Sequence, residues 1–184
     1  HMMSIKKKII TNTAISGIVK VLTTIIGFFF IPVMIKNIGT LDFGLLAYLQ
    51  TFTIIGFLSL AGIGLGPAII KYVSELTVIN SKEEILKIIN TAFICLLIIG
   101  VFIALLGFSF LEKILGHLNL PHEQLDSFRE GFKYILFTIV IILPLSVFGN
   151  VLEGLQKYKI VKSLEGLFWV TYMIGGMYLS VHNV

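Results

Sequence analysis

The chain has 184 residues, of which 57% are hydrophobic and 13% are charged, and its mean hydropathy is +0.99. Soluble domains carry about 25% charged residues, so this composition excludes an ordinary soluble protein and indicates an integral membrane protein. The formal net charge of +4 does not indicate binding to nucleic acid, because the basic residues are scattered between apolar runs instead of gathered on one soluble face.

Five apolar runs are long enough to cross a bilayer as helices. They lie at residues 9–35, 43–70, 88–111, 134–152 and 164–181. All five are predicted to be helical, because an open sheet cannot satisfy its backbone in lipid and the runs lack the alternation of barrel strands. The predicted fold is therefore an all-α, polytopic membrane bundle with about five transmembrane helices. His1 and Met2 read as an expression scar, which leaves residues 3–184 as one membrane domain.

The first run carries one full charge, Lys20, near its middle. If the helix starts near Ile9, Lys20 lies about 11 residues, or roughly 16 Å, into a hydrocarbon core about 30 Å thick, where a basic residue costs roughly 2.5–3.5 kcal/mol. Small and polar side chains fall within about 60° of Lys20 on the helix. They are Thr13, Ser16, Gly17, Thr23, Thr24 and Gly27. Lys20 is thus predicted to face a polar cavity or partner, with snorkelling of its stem to an interface as the alternative.

The ten acidic residues all fall in predicted loops or at predicted helix ends. The sequence therefore predicts no carboxylate at the depth of Lys20. A counter-charge is expected from a part of the protein outside this chain or from an anionic substrate.

Small residues and a proline crowd the inner end of the second run, at Gly62, Gly64, Gly66 and Pro67. Gly62 and Gly66 have the spacing that lets membrane helices approach closely, and Pro67 is expected to kink or break the helix. Because no strand precedes them, these glycines do not indicate a nucleotide-binding loop.

The fourth run contains Pro144, a second expected kink, and its inner end places polar side chains on one helical face. These are Ser146, Asn150, Glu153 and Lys157. Asn150 and Glu153 are predicted to line the cytoplasmic mouth of a cavity. An interfacial salt bridge between Glu153 and Lys157 is the alternative.

Two charged segments connect the runs. Residues 71–87 are predicted to be a solvated cytoplasmic connection, in which Ser81, three residues before Glu84, resembles a capping box that starts the third helix. Residues 117–131 are predicted to be the longest outer loop, with a short helical turn opened by Pro121.

The distribution of basic residues predicts the orientation. With the N-terminus in the cytoplasm, nine basic residues fall in inner segments and four in outer segments. The positive-inside rule therefore predicts a cytoplasmic N-terminus. Five crossings then place Val184 outside, and this odd number leads us to expect that the chain is part of a longer protein.

Four stretches resemble the N-terminal part of a bacterial polysaccharide flippase. They are Lys20–Pro32 (KVLTTIIGFFFIP), Ile38–Leu45 (IGTLDFGL), Gly64–Tyr72 (GLGPAIIKY) and Leu152–Tyr158 (LEGLQKY). The last is similar to the joint, a Gly-Leu-Gln between two large residues, that often precedes helix five in such proteins. These flippases belong to the multidrug/oligosaccharidyl-lipid/polysaccharide exporter superfamily.

The resemblance implies a membrane transporter of the bacterial cytoplasmic membrane, not an enzyme, with two helical lobes of which this chain covers part of the first. A polyprenyl-diphosphate-linked oligosaccharide would enter between the lobes, and alternating access would expose it outside. By this resemblance Lys20 contacts the diphosphate, and the hydroxyls of Ser16, Thr23 and Thr24 face the diphosphate or the sugar. The implied partners are the lipid bilayer and other polysaccharide-assembly membrane proteins. No cofactor is implied besides a coupling ion, H⁺ or Na⁺.

Other functions stay open at this point. An ion-coupled multidrug exporter of the same superfamily would usually need a carboxylate within a span, and these runs place none at membrane depth. A non-transporting membrane scaffold subunit would tolerate neutral replacement of Lys20. An enzyme is not indicated, because the sequence shows no nucleophile–base or carboxylate pair beyond ordinary loop charges. No metal site is expected either, since His117 and His122 are five residues apart and do not share a helical face.

Overall fold

The structure is a computed structural model that describes residues 2–53, 64–117 and 121–182. The elements in these residues are all helices, which confirms the predicted all-α class. In chain order they are α1 (Met2–Ile38), α2 (Thr40–Thr51), α3 (Leu65–Val78), α4 (Lys82–His117), α5 (His122–Gly154) and α6 (Tyr158–His182).

Among the described residues, three helices contain segments long and apolar enough to cross a membrane: Ser16–Ile38, Lys82–His117 and Gln124–Gly154. They contain the first, third and fourth predicted runs. The fifth run falls on α6, which has the length of a span but lies outside this group. The second run is not one helix, because α2 ends at Thr51 and α3 begins at Leu65.

The two connections predicted between runs are mostly helical. The predicted helix starts after Ser81 and Pro121 are confirmed, whereas residues 122–131, predicted to belong to an outer loop with only a short helical turn, are part of a long helix. Helix α3 continues to Val78, and a short turn with Asn80 at φ 55° leads directly into α4. Likewise α4 continues to His117, and α5 begins just after Pro121. Their charges are compatible with helix because they pair three residues apart, as Glu84 does with Lys87 at 2.7 Å.

The chain divides into two compact units, one made of His1–Phe43 with Gln156–Val184 and the other of Gly44–Leu155. We call them the terminal unit and the central unit.

In the central unit, α4 and α5 form an antiparallel pair. Gly100 lies against Val140, and Gly107 lies against Leu136. At the far end of the pair the Arg129 guanidinium contacts both carboxylate oxygens of Glu112, each at 3.2 Å. Small residues permit this close approach, and apolar side chains on either side of them are buried.

The core of the central unit has two apolar clusters along this pair. One holds Phe128 and Phe132, which pack with Tyr48 and Phe52 of the α2 segment through ring contacts of 5.2–6.0 Å. The other joins α3 to α4 and α5, with Val73 and Val147 fully buried. The aromatic contacts therefore anchor the segment after α1 to the start of α5.

In the terminal unit, α1 and α6 run parallel. Four contacts define their register, and they pair Val19 with Gly166, Gly27 with Met173, Phe30 with Gly176 and Asn37 with Ser180. The residue numbers rise together along both helices, which is the signature of parallel packing. This register decides which residues of α6 lie beside Ser16, Lys20, Thr23 and Thr24 of α1, which we call the polar stripe.

Candidate functional site

The polar stripe of α1 lies on one continuous helix. The Thr23 hydroxyl donates to the carbonyl oxygen of Val19 at 2.9 Å and also lies 3.0 Å from that of Lys20. The Thr24 hydroxyl donates to the Lys20 carbonyl at 2.8 Å. These bonds satisfy the hydroxyl hydrogens within the helix and leave the oxygen lone pairs available to accept. Both hydroxyls can therefore accept a hydrogen bond from a ligand. To donate to a ligand, each would first have to break its hydrogen bond to a backbone carbonyl oxygen.

The side chains of this stripe differ in exposure within the terminal unit. Lys20 and Thr24 are exposed, whereas Ser16 and Thr23 are half-buried. Of the ion pairs that the structure places among the described residues, none includes Lys20. Lys20 is thus exposed on α1, and its ammonium has three hydrogen-bond donors.

The register of α1 and α6 corrects the expected isolation of Lys20 from acidic residues. A Cβ on Gly166 would lie 2.6 Å from a methyl of Val19, so Gly166 and Val19 are at the same level. Glu165 is therefore level with Lys20 to within about 3 Å along the axis, at 1.5 Å per residue. The prediction of no carboxylate at this depth was wrong because α6 begins at Tyr158, six residues before the predicted run, which puts Glu165 two turns inside the helix.

Asn150 and Glu153 lie on the last two turns of α5, in the central unit. The amide of Asn150 packs on Gly66, with its Oδ1 3.3 Å and its Nδ2 3.4 Å from where a Cβ would stand. Both Asn150 and Glu153 are half-buried. The structure thus groups Lys20, Ser16, Thr23 and Thr24 on α1 and separately groups Asn150 and Glu153 on α5.

Two glycines and two prolines were predicted to allow close packing of helices or to kink them. Gly62 lies outside the described residues. Gly66 and Pro67 are in the first turn of α3, directly after Gly64 at φ +96°. Backbone N–H groups in the first turn have no partner within the helix, so the missing N–H of Pro67 costs no helical hydrogen bond. Pro144 is buried inside α5, which continues on both sides of it.

Sequence reasoning missed the contribution of α6 to this region. The Lys162 Nζ lies 2.9 Å from the Glu165 carboxylate, and Trp169 is one turn further along the same helix. The Trp169 and Tyr172 rings meet edge to face at 6.0 Å. Lys162, Glu165, Trp169 and Tyr172 are three, four and three residues apart, which is visible in the sequence. Only the register with α1 shows that Glu165 is level with Lys20.

Within the described residues, no group of three or more His, Cys, Asp or Glu side chains is arranged to hold a metal ion. The terminal unit therefore presents the Lys20 cation on the polar stripe, the Lys162–Glu165 ion pair on α6, and the rings of Trp169 and Tyr172 further along α6. Such a set can bind an anionic, hydroxyl-bearing ligand by charge, hydrogen bonding and ring contact.

Comparison with known families finds a match to the MatE family model over residues 17–163. The match runs from the first turns of the polar stripe through the start of α6, and it includes Lys20, Thr23, Thr24, Asn150 and Glu153. Comparisons with curated proteins and with solved structures found no match.

Proposed function

Because the chain belongs to the MatE family of membrane transporters, we propose that it takes part in flipping a lipid-linked oligosaccharide across the bacterial cytoplasmic membrane by alternating access. The observation that carries the proposal is the exposed Lys20 on the polar flank of an apolar helix. A cation retained in such a helix is costly, and a ligand of opposite charge explains its presence. The diphosphate of a polyprenyl-linked oligosaccharide supplies that charge.

In this mechanism the Lys20 ammonium attracts the diphosphate as a mobile point charge. Ser16, Thr23 and Thr24 line the path beside it. Their oxygens accept hydrogen bonds from sugar hydroxyls while Thr23 and Thr24 keep their bonds to the backbone. Binding through one cation and neutral hydroxyls is weak enough to permit release on the other side.

Asn150 and Glu153 would line the cytoplasmic entrance. Their half-burial at the inner end of α5 supports this assignment. The packing of Asn150 on Gly66 further suggests that this entrance depends on the contact between α3 and α5. The lipid bilayer and other polysaccharide-assembly membrane proteins would be the partners.

The parallel pairing of α1 and α6 supports five crossings with a cytoplasmic N-terminus. Two parallel spanning helices need an odd number of crossings between them. Helices α4 and α5 contain two candidate spans, and the proposal assigns the third crossing to the second apolar run. The excess of basic residues on the side of the N-terminus supports the proposed orientation.

A second candidate, ion-coupled multidrug export, is favoured by one specific observation. Glu165 lies two turns inside α6 and level with the middle of the stripe, where a carboxylate can exchange a cation for a proton. In that case the transported ligand is a cationic drug, and Lys20 does not contact it.

The test compares Lys20→Ala and Lys20→Arg in the complete protein, reconstituted in liposomes that carry a fluorescent lipid-linked oligosaccharide. Loss of one charged contact is expected to slow flipping by roughly ten- to a hundredfold in the alanine variant, and the arginine variant is expected to keep most of the rate. Lys36→Ala, an exposed lysine in the last turn of the same helix, is the matched control. Unchanged flipping in Lys20→Ala would remove Lys20 from the substrate site. Export of cationic drugs that is lost in Glu165→Gln would favour the second candidate.

A further inference from the structure

The flank of the terminal unit that carries Lys20 also carries Glu165. A Cβ on Gly166 would touch Val19, so these two residues face each other across the contact between α1 and α6. Lys20 follows Val19, and Glu165 precedes Gly166. Each of the two charged residues is thus one position away from the contact.

Helical rotation places both side chains on the same side of the pair. Each residue of an α-helix is rotated by about 100° from the one before it. For two parallel helices that face each other, a step forward from Val19 and a step backward from Gly166 turn toward the same flank. The Lys20 and Glu165 side chains therefore project side by side, in the way that residues flanking the core of a parallel coiled coil form interhelical ion pairs.

Lys20 and Glu165 do not form an ion pair in the structure, but helix geometry puts them within reach of each other. Interaxial distances are about 8–10 Å, and a glycine at the contact favours the lower end of that range. The four-carbon stem of Lys20 is flexible and its ammonium has three donors, while a carboxylate accepts from two cations at once. Glu165 can thus hold Lys20 without releasing Lys162, which lies 2.9 Å from its Oε2.

Lys162 lies one turn before Glu165, and Lys20 lies about 3 Å after it along the axis. The acid is therefore between two cations on one flank. Its side chain is 50% exposed, so an arriving ligand can reach it.

We propose that Glu165 is the resting counter-ion of Lys20 and a positioning residue for ligand entry. In the structure Glu165 pairs with Lys162 and none of the ion pairs among the described residues includes Lys20, so a change of rotamer brings the Lys20 ammonium to the carboxylate when no ligand is bound. The diphosphate of the ligand takes its place, and the carboxylate stays with Lys162. This inference rests on the proposed function for the identity of the ligand, but the pairing of Lys20 with Glu165 does not depend on it.

The pairing is tested without ligand by thermal unfolding of the full chain in nanodiscs of zwitterionic lipid. Glu165→Gln is expected to lower the midpoint by about 1–4 °C in the native background and by less in a Lys20→Ala background. Glu84→Gln is the matched control, because Glu84 is also 50% exposed and also pairs with a lysine three residues away. It should shift the midpoint equally in both backgrounds. An equal shift for Glu165→Gln in both backgrounds overturns the pairing.

The competition is tested by titrating farnesyl diphosphate into the same samples. Trp169, the one tryptophan of the chain, is one turn beyond Glu165, so intrinsic fluorescence reports on this flank. Glu165→Gln is expected to lower the Kd about three- to tenfold, since the ligand no longer displaces a carboxylate, and Glu84→Gln should leave it unchanged.

The gain in affinity should disappear when Lys20→Ala is added. If it persists in that background, Lys162 alone accounts for it and the proposal is overturned. If the native chain does not bind farnesyl diphosphate, the proposed function fails, and the unfolding experiment alone decides whether Glu165 is the partner of Lys20.

Discussion

Replacement of Gly166 by alanine tests the contact that aligns α1 with α6. A Cβ at this position would lie 2.6 Å from Cγ1 and 3.2 Å from Cγ2 of Val19, which is closer than two carbon atoms pack. Gly175, on the same helix, has nothing within 4 Å of the corresponding position. The two substitutions therefore add the same methyl group to one helix in opposite surroundings.

The magnitude follows from two opposing effects. Alanine is favoured over glycine in a helix interior by about 1 kcal/mol, and this gain is common to both variants. Overpacking of a close contact costs about 1–3 kcal/mol, and this cost applies only to Gly166→Ala. Gly166→Ala should therefore be less stable than Gly175→Ala by about 1–3 kcal/mol, or roughly 2–12 °C in the unfolding midpoint for a chain of this size.

Thermal unfolding in detergent, followed by circular dichroism, gives this difference. Adding Val19→Ala to Gly166→Ala removes the clashing methyl groups and should restore part of the loss. Equal midpoints for Gly166→Ala and Gly175→Ala would refute the register, and the neighbourhood of Lys20 and Glu165 would have to be abandoned with it.

Two further substitutions test the central unit. Gly154→Ala should destabilise the protein by about 1–3 kcal/mol relative to Gly149→Ala. A Cβ on Gly154 would lie 2.8 Å from the Cβ of the buried Val73, whereas nothing lies within 4 Å of a Cβ on Gly149. Similar chemical-denaturation curves for the two variants would contradict this prediction. Phe128→Ala should cost about 3–5 kcal/mol, because the ring is 1% exposed in the aromatic cluster, whereas Phe137→Ala, with its ring 66% exposed on the same helix, should change the unfolding midpoint far less.

Apolar composition by itself determined the helical class and the approximate positions of the runs. In lipid the backbone has to satisfy its own hydrogen bonds, so long apolar segments leave few alternatives to helices. The polar stripe around Lys20 was also readable, because residues three and four apart share a helical face. These features depend only on local periodicity.

Helix ends were less predictable. The apolar runs mark where lipid contact is possible, whereas helices continue as long as the charged residues beyond them find partners. The Glu84–Lys87 pair lies within α4, whose start after Ser81 agrees with the predicted capping box, whereas the bridge from Arg129 to Glu112 lies past the predicted limits of the third and fourth runs. The second of these depends on a neighbouring helix and cannot be read from local sequence.

Only the tertiary structure decided which residues are neighbours. The contact of Gly166 with Val19 brings Glu165 level with Lys20, although 145 positions separate them in the chain. The packing of Asn150 on Gly66 is likewise a property of two helices together. Register between helices depends on where small side chains allow close approach along both surfaces at once, and for this reason periodicity within one helix identified the charged stripe but not its partner.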